Sequence, residues 1–323
     1  MSDEQFVTSF QANYNRLFNY TGGHDIELML SMACKYTLAN KQFSGVILQK
    51  VIEQIQNIKE ISIPVSLETS IGYKLAFHLL QQEDRNKEIQ RIVENDEILE
   101  TVKFSKSIYR LIGALFLHKG NLEHAQRAKK LFEEMNQNQR VLTSKESIPY
   151  VVFLTANPIV KAKNQADTIM KYYRELRENQ FTMGKHLQVL AQIMTIYSAD
   201  YNEILFQYVI SLRDALTGQG IKVKRVHYPY LGVLALAAAN ETKISEILSL
   251  YTLLKKQTIF KNAKDYVLIV AIEKIVQDVI EVQNVIEMTA LTNLLEILNV
   301  VDFVLEIGSY VPSGISGVLD FFN

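Results

Sequence analysis

A single cysteine, Cys34, stands in a chain of 323 residues. One thiol makes no intramolecular disulfide and no thiolate cluster for a structural metal, so the expected compartment is a reducing one, the cytoplasm. Proline and glycine are scarce, at five and thirteen residues, which leaves few helix breakers. Tryptophan is absent. Neither sign of charge dominates: 34 Lys and Arg stand against 35 Asp and Glu, for a formal net charge of -1. The total therefore exerts no pull toward phosphate backbones or anionic lipid. Long apolar runs are missing too. The segment VIEMTALTNLLEILNVVDFVLEIG is broken by Glu287, Glu296, Asp302 and Glu306 and reads as buried helix. The opening MSDEQFVTSFQANYNRLF has no apolar stretch of the kind a signal peptide or membrane span needs, so no membrane contact is expected.

What is present is helical periodicity. Leu122, Ala125, Ala128, Leu131, Phe132 and Met135 recur at three and four positions, one face of a helix. Similar stripes run through DIELMLSMACKYTLA, ADTIMKYYRELRE, NEILFQYVISLRDAL and DYVLIVAIEKIVQDVI. The best strand candidates, ISIPVS and IKVKRVHY, are short and lie beside proline. The chain reads as all-α.

Self-similarity goes further. SIPYVVFLTANP, with Pro149, is echoed by VHYPYLGVLALAAAN, with Pro229. Tyr73, Tyr109, Tyr150, Tyr230 and Tyr266 each open a short apolar helix, and Leu187 opens another between the third and fourth. Successive starts lie 36, 41, 37, 43 and 36 positions apart. Units of about 36–43 residues, paired into a double repeat of about 80, predict an α-solenoid of stacked helical hairpins. In each unit one helix is apolar nearly all round and must be sandwiched, while the other is amphipathic. Proline suits the first turn of such helices. No linker interrupts the interior, so residues 1–323 are expected to form a single continuous domain: cap helices at 1–65, repeats at 66–300, and a C-terminal cap and tail at 301–323, closed by Val318, Leu319, Phe321 and Phe322.

One unit resembles a tetratricopeptide repeat: in YRLIGALFLHKGNLEHA, Tyr109, Ile112, Gly113, Phe116, Gly120 and Ala125 fill that pattern's positions in order, and Lys129 departs from it. The resemblance implies a helical hairpin. By its length, its Ile, Lys and Asn usage and its IPYVVFLTA and YPYLGVLALAA segments, the whole chain is similar to an uncharacterised family of cytosolic helical proteins of low-GC Gram-positive bacteria. That likeness carries no activity with it.

No catalytic, metal or cofactor constellation is expected. His118 and His124 flank a turn, and His24 with Asp25 reads as a helix cap after Gly22 and Gly23. Cys34 sits in an apolar helix as a small hydrophobe, and Ser313 and Ser316 follow no strand. Phosphate-binding loops are absent. Two features stand out. The loop GIKVKRVHYPY sets Lys222, Lys224, Arg225 and His227 beside tyrosines, a mixture able to hold phosphate or a stacked base. Tyrosines are numerous, and Tyr172, Tyr173, Tyr201 and Tyr208 are candidates for a partner-binding surface. The leading expectation is a non-enzymatic module that binds a peptide or protein partner; the alternatives are nucleic-acid binding through the basic loop, and an enzyme whose site is assembled from separated helices.

Overall fold

The structure is a computed structural model and describes residues 1–56, 70–138, 143–196, 198–237, 241–283 and 298–302. The described residues are helical throughout, with no strand among them. Fourteen α-helices follow one another: α1 (Asp3–Thr21), α2 (Ile26–Leu38), α3 (Gly45–Gln56), α4 (Ser70–Leu80), α5 (Arg85–Thr101), α6 (Ile108–Phe116), α7 (Leu122–Asn138), α8 (Ile148–Leu154), α9 (Ala162–Glu178), α10 (Lys185–Ile193), α11 (Glu203–Gly218), α12 (Tyr228–Leu236), α13 (Glu241–Lys255) and α14 (Tyr266–Gln283). A further helical turn covers residues 298–302. The proposed strand IKVKRVHY is extended coil leading into a 3-10 turn, and ISIPVS lies outside the described residues.

Local sequence accounts for the helix starts. Ser2 and Gln5 form a reciprocal capping box on α1. Asp25 caps α2 by accepting from the Leu28 amide at 3.0 Å, and Asp84, Ser107 and Asn202 do the same for α5, α6 and α11. Pro149 and Pro229 occupy the first turns of α8 and α12, where a missing N–H leaves no bond unmade.

Each odd-numbered helix packs along the even-numbered helix that follows it. The even-numbered helices are the buried ones: every residue of α12 from Tyr228 to Ala235 is shielded, as is the α14 run Tyr266–Ile272. Odd-numbered helices bury one stripe. On α9 that stripe is Gln165, Ala166, Ile169, Tyr172, Tyr173 and Leu176, the spacing of one helical face. The close approach of α12 to α10 depends on Gly232, where an added Cβ would lie 2.8 Å from Leu190 Cδ1 and 2.9 Å from Ile193 Cγ2.

A recurring device fastens successive helices. The last carbonyls of a helix have no partner within it, and here a polar side chain on the preceding odd-numbered helix reaches the end of the even-numbered one. Asn13 of α1 donates to Thr37 Oγ1 (3.0 Å) and the Lys41 carbonyl (3.1 Å), and accepts from the Phe43 amide (2.8 Å). Asn95 of α5 donates to the Ala114 and Leu117 carbonyls (2.9 and 2.8 Å) and accepts from the Gly120 amide. On α7, His124 Nε2 donates to the Val152 carbonyl (2.7 Å) while Nδ1 accepts from the His118 amide (3.2 Å). Gln165 of α9 reaches Thr195. His124 is buried, and burial pushes its pKa down to about 4, so the imidazole stays neutral in the one tautomer that makes both bonds.

The packing also returns to its start. Contacts run from α2 to α4, α5, α6, α8, α10, α12 and α14, and from α14 back to α2. Alongside, α1 meets α13 and the 3-10 turn after it: the Phe10 ring stacks on Phe260 with centroids 5.6 Å apart, and the Gln11 and Gln257 side chains hydrogen-bond. The first and last described helices are therefore neighbours.

Candidate functional site

Ionisable side chains from the inner helices converge on Asp302. Lys35 stands on α2, Lys74 on α4, Tyr230 on α12 and Glu273 on α14, and all are buried or nearly so. Lys35 Nζ donates to Asp302 Oδ2 at 2.5 Å and to Asn299 Oδ1 at 3.1 Å. Tyr230 donates to Asp302 Oδ1 at 3.1 Å, and the Lys74 ammonium to the Asp302 backbone carbonyl at 2.5 Å. The Glu273 carboxyl lies close to both the Cys34 thiol and the Asp302 carboxyl. Tyr150, which holds on α8 the position that Tyr230 holds on α12, is fully buried near Asp302, and its hydroxyl has no partner among the described residues. The proline-tyrosine echo in the sequence thus aims two hydroxyls at one region.

The electrostatics follow from burial and neighbours. Burial, reinforced by the Asp302 charge, pushes Glu273 up to about 8, so it is protonated at neutral pH. Burial also opposes ionisation of Asp302, but Lys35 and Lys74, with hydrogen bonds from Lys35 and Tyr230, outweigh it and hold the carboxyl below its ordinary value. Lys35 behaves likewise: desolvation is overcome by Asp302 and Glu273, and its pKa ends above the usual one. Burial and the nearby Glu273 raise the Cys34 thiol well above its ordinary value, which makes it inert rather than nucleophilic. Two carboxyls thus share one proton between two ammonium groups.

A groove of about 400 Å³ opens where α6, α8 and α10 end, over Phe116, Phe153, Leu154 and Ile196, with Arg91 and His118 at its edge. Beneath it a void of about 10 Å³ lies between Tyr150, Gln192 and Val300, sharing Phe153, Leu154 and Ile196 with the groove. Arg91 is occupied with Glu88 and with the Leu115 and Leu117 carbonyls. The loops and helix starts at this end expose Leu122, Ile159 and Ile204, the last two at 85% and 82% of their surface.

Residues 12–301 match the model of a family described as "Protein of unknown function (DUF4003)". The chain belongs to this family. A relative in Bacillus subtilis (strain 168), described as "Uncharacterized protein YeaA", is 23% identical over 191 residues, covering 57% of this chain and 56% of that protein. The chain spans little more than half the length of that relative in the match. No solved structure matches.

Within this family member, the residues singled out from sequence fall as follows. Tyr172 and Tyr173 are buried, and their hydroxyls accept from the Asn202 and Gly184 amides at 2.8 and 3.2 Å. Tyr201 is half-buried, hydrogen-bonded to Glu175, with the Lys171 ammonium 3.5 Å from its ring centre. Tyr208 is half-buried. Tyr172 and Tyr201 are thereby committed to joining α9 with the start of α11, and Tyr173 to joining it with the start of α10. In the basic loop, Lys222 and Arg225 are exposed, and Lys224 pairs with Asp265 at 2.7 Å. His227 is buried: Nδ1 accepts from the Lys224 amide (2.9 Å) and Nε2 donates to the Asp265 carbonyl (3.1 Å), and burial pushes its pKa down to about 4. His227 is a neutral clasp of the same kind as His124. Among the described residues no group of His, Cys, Asp and Glu is placed to hold a metal, and no helix is long and apolar enough to cross a membrane. The tail residues Ser313, Ser316, Val318, Leu319, Phe321 and Phe322 lie outside the described residues.

The Asp302 cluster was missed in the sequence reading. Its signal is there: Glu273-Lys274 interrupts the apolar run VLIVAIEKIV, and Lys74 and Lys35 sit in comparably apolar runs.

Proposed function

We propose that the chain is a non-enzymatic interaction module of the cytoplasm that binds a peptide or protein partner. It would be built as one domain from stacked helical hairpins whose two ends meet, so that the solenoid is closed rather than open. The repeated clasps by Asn13, Asn95, His124 and Gln165 support the hairpin repeat. The more extensive packing of α6 on α8 and of α10 on α12 supports the double repeat. The observation that carries the function is the groove at the ends of α6, α8 and α10 with Leu122, Ile159 and Ile204 exposed at the same end. Large aliphatics exposed at the same end as a concavity are a common mark of an interaction site. The nucleic-acid alternative has less behind it, because Lys224 is ion-paired and His227 is neutral and enclosed, which leaves two exposed cations to meet a phosphate backbone.

The test is a paired capture experiment from bacterial lysate with nuclease present, using the wild-type chain and an Ile159→Asp/Ile204→Asp variant of unchanged helicity. A partner held by the wild type and lost by the variant supports the reading. Identical capture profiles would refute it.

A further inference from the structure

The groove leaves the centre of the fold unexplained. Five inner helices, α2, α4, α8, α12 and α14, direct Lys35, Lys74, Tyr150, Tyr230 and Glu273 toward one aspartate on a short turn. Burying two ammonium groups and two carboxyls is expensive, and well-packed apolar residues of similar volume would hold helices together at least as firmly. Such a cluster is better suited to recognising something than to adding stability. What it recognises is visible in its contacts. Both oxygens of one carboxylate, the backbone carbonyl of the same residue and the amide oxygen of Asn299 three positions earlier are each met by a donor. These are the contacts made to a short peptide that carries an acid. The flanking Leu298, Val300 and Val301 are buried beside it. The Tyr150 hydroxyl, fully enclosed and unpartnered, shows that the receiving surface has a polar group the present occupant does not use.

We propose that the inner face of the helical array is a binding site for an acidic peptide segment, an aspartate preceded by aliphatic residues, and that the turn at 298–302 is its resident, exchangeable occupant. The cations of the receptor are Lys35 and Lys74. Glu273 stands beside them and adds no opposing charge, because burial and the bound carboxylate keep it protonated at neutral pH. Lys274, next in the chain, is paired with Asp278 and takes no part. The site extends the interaction reading but does not depend on the groove. Substitutions at Ile159 and Ile204 leave it untouched, so either idea can fail alone.

A covalently attached segment competes at an effective concentration in the millimolar range, so the occupant has to be weakened before a free peptide is seen. The full-length Asp302→Ala chain is titrated with two fluorescein-labelled peptide amides, Leu-Asn-Val-Val-Asp and its Asn-ended counterpart, by fluorescence anisotropy. The acidic probe is expected to bind at least tenfold more tightly than the neutral one, and a further Lys35→Met change should erase that preference. A helical Asp302→Ala chain that binds neither probe, or both alike, overturns the proposal. If that variant does not fold, native-state hydrogen exchange of the wild type decides. Residues 298–302 opening at least tenfold more often than α12 and α14 supports an exchangeable occupant, and opening only together with them overturns it.

Discussion

Replacing Lys35 by Met removes one charge from a pair that water does not reach. The Lys35 ammonium lies 2.5 Å from an Asp302 oxygen, and the Asp302 side chain is 3% exposed. At an effective dielectric of about 20, unit charges about 3 Å apart attract by about 5 kcal/mol. The measured loss is smaller, because the lysine's own desolvation is relieved. Breaking a buried pair from one side typically costs about 3–5 kcal/mol, and Lys74 still faces Asp302 after the change, so Lys35→Met is expected near the lower end, about 3 kcal/mol. Asp302→Asn removes the negative charge that both lysines face, while the Lys74 bond to the backbone carbonyl survives, and belongs nearer about 4 kcal/mol. The two residues act on each other, so the double variant should fall short of the sum of the single losses by about 2–3 kcal/mol. Urea unfolding followed by far-ultraviolet circular dichroism, with coincident tyrosine fluorescence as a check on two-state behaviour, measures all three. Losses that add to within about 0.5 kcal/mol would refute the argument that this contact is formed and buried.

Further expectations come from the same structure. Glu273 is protonated when folded up to about 8 but ionises near 4.5 when unfolded, so its contribution makes stability fall as pH rises between those values, by up to about 1.4 kcal/mol per unit. His124 and His227, each depressed to about 4 from 6.5, act in the opposite sense: the unfolded chain binds their protons first, so stability falls as pH drops from 6.5 toward 4. Urea midpoints should therefore peak near pH 6.5, and Glu273→Gln should flatten the limb from 6.5 to 8; an unchanged limb would contradict the assignment. His124→Leu leaves the His118 amide without its partner and the Val152 carbonyl with the Thr155 hydroxyl alone, and should cost about 1–3 kcal/mol in the same assay, the cost of an orphaned buried polar group. A loss under about 0.5 kcal/mol, the scale of an ordinary surface change, would contradict the clasp. Gly232→Ala should destabilise by about 1–3 kcal/mol through overpacking against Leu190 and Ile193. Gly218→Ala, on a helix end with nothing within 4 Å, should be neutral or stabilising by up to about 1 kcal/mol. Equal effects at the two glycines would contradict the close approach of α12 to α10.

Helical periodicity was legible because each helix writes its own pattern locally. The cap at Asp25 and the first-turn prolines 149 and 229 were legible for the same reason. The site was not, because its members are far apart in the chain: Lys74 and the Asp302 carbonyl it meets are separated by 228 positions. Periodicity also treats a lone lysine or glutamate in an apolar helix as noise, whereas in a fully enclosed helix it is the one residue that needs a partner. Composition misled in the opposite direction. The tyrosines at 172, 173 and 201 looked like a surface, yet each hydroxyl is used inside the fold. His227 looked like part of a basic patch, yet it is a neutral loop clasp. A polar tip on a large apolar side chain serves a buried backbone amide as well as it serves a partner.

The packing of the first helices against the last underlies both the proposed closed array and the proposed inner-face site, and proximity labelling at its seam tests it directly. Gln11 of α1 and Gln257 of the turn after α13, hydrogen-bonded to each other, are replaced by cysteine in a Cys34→Ser background, and the monomeric chain is treated with a short bis-maleimide. A fast intramolecular cross-link, absent from either single-cysteine chain, is the expected result. A chain that stays uncross-linked while fully helical would mean that the two ends stand apart, and the account of a closed fold around Asp302 would be wrong.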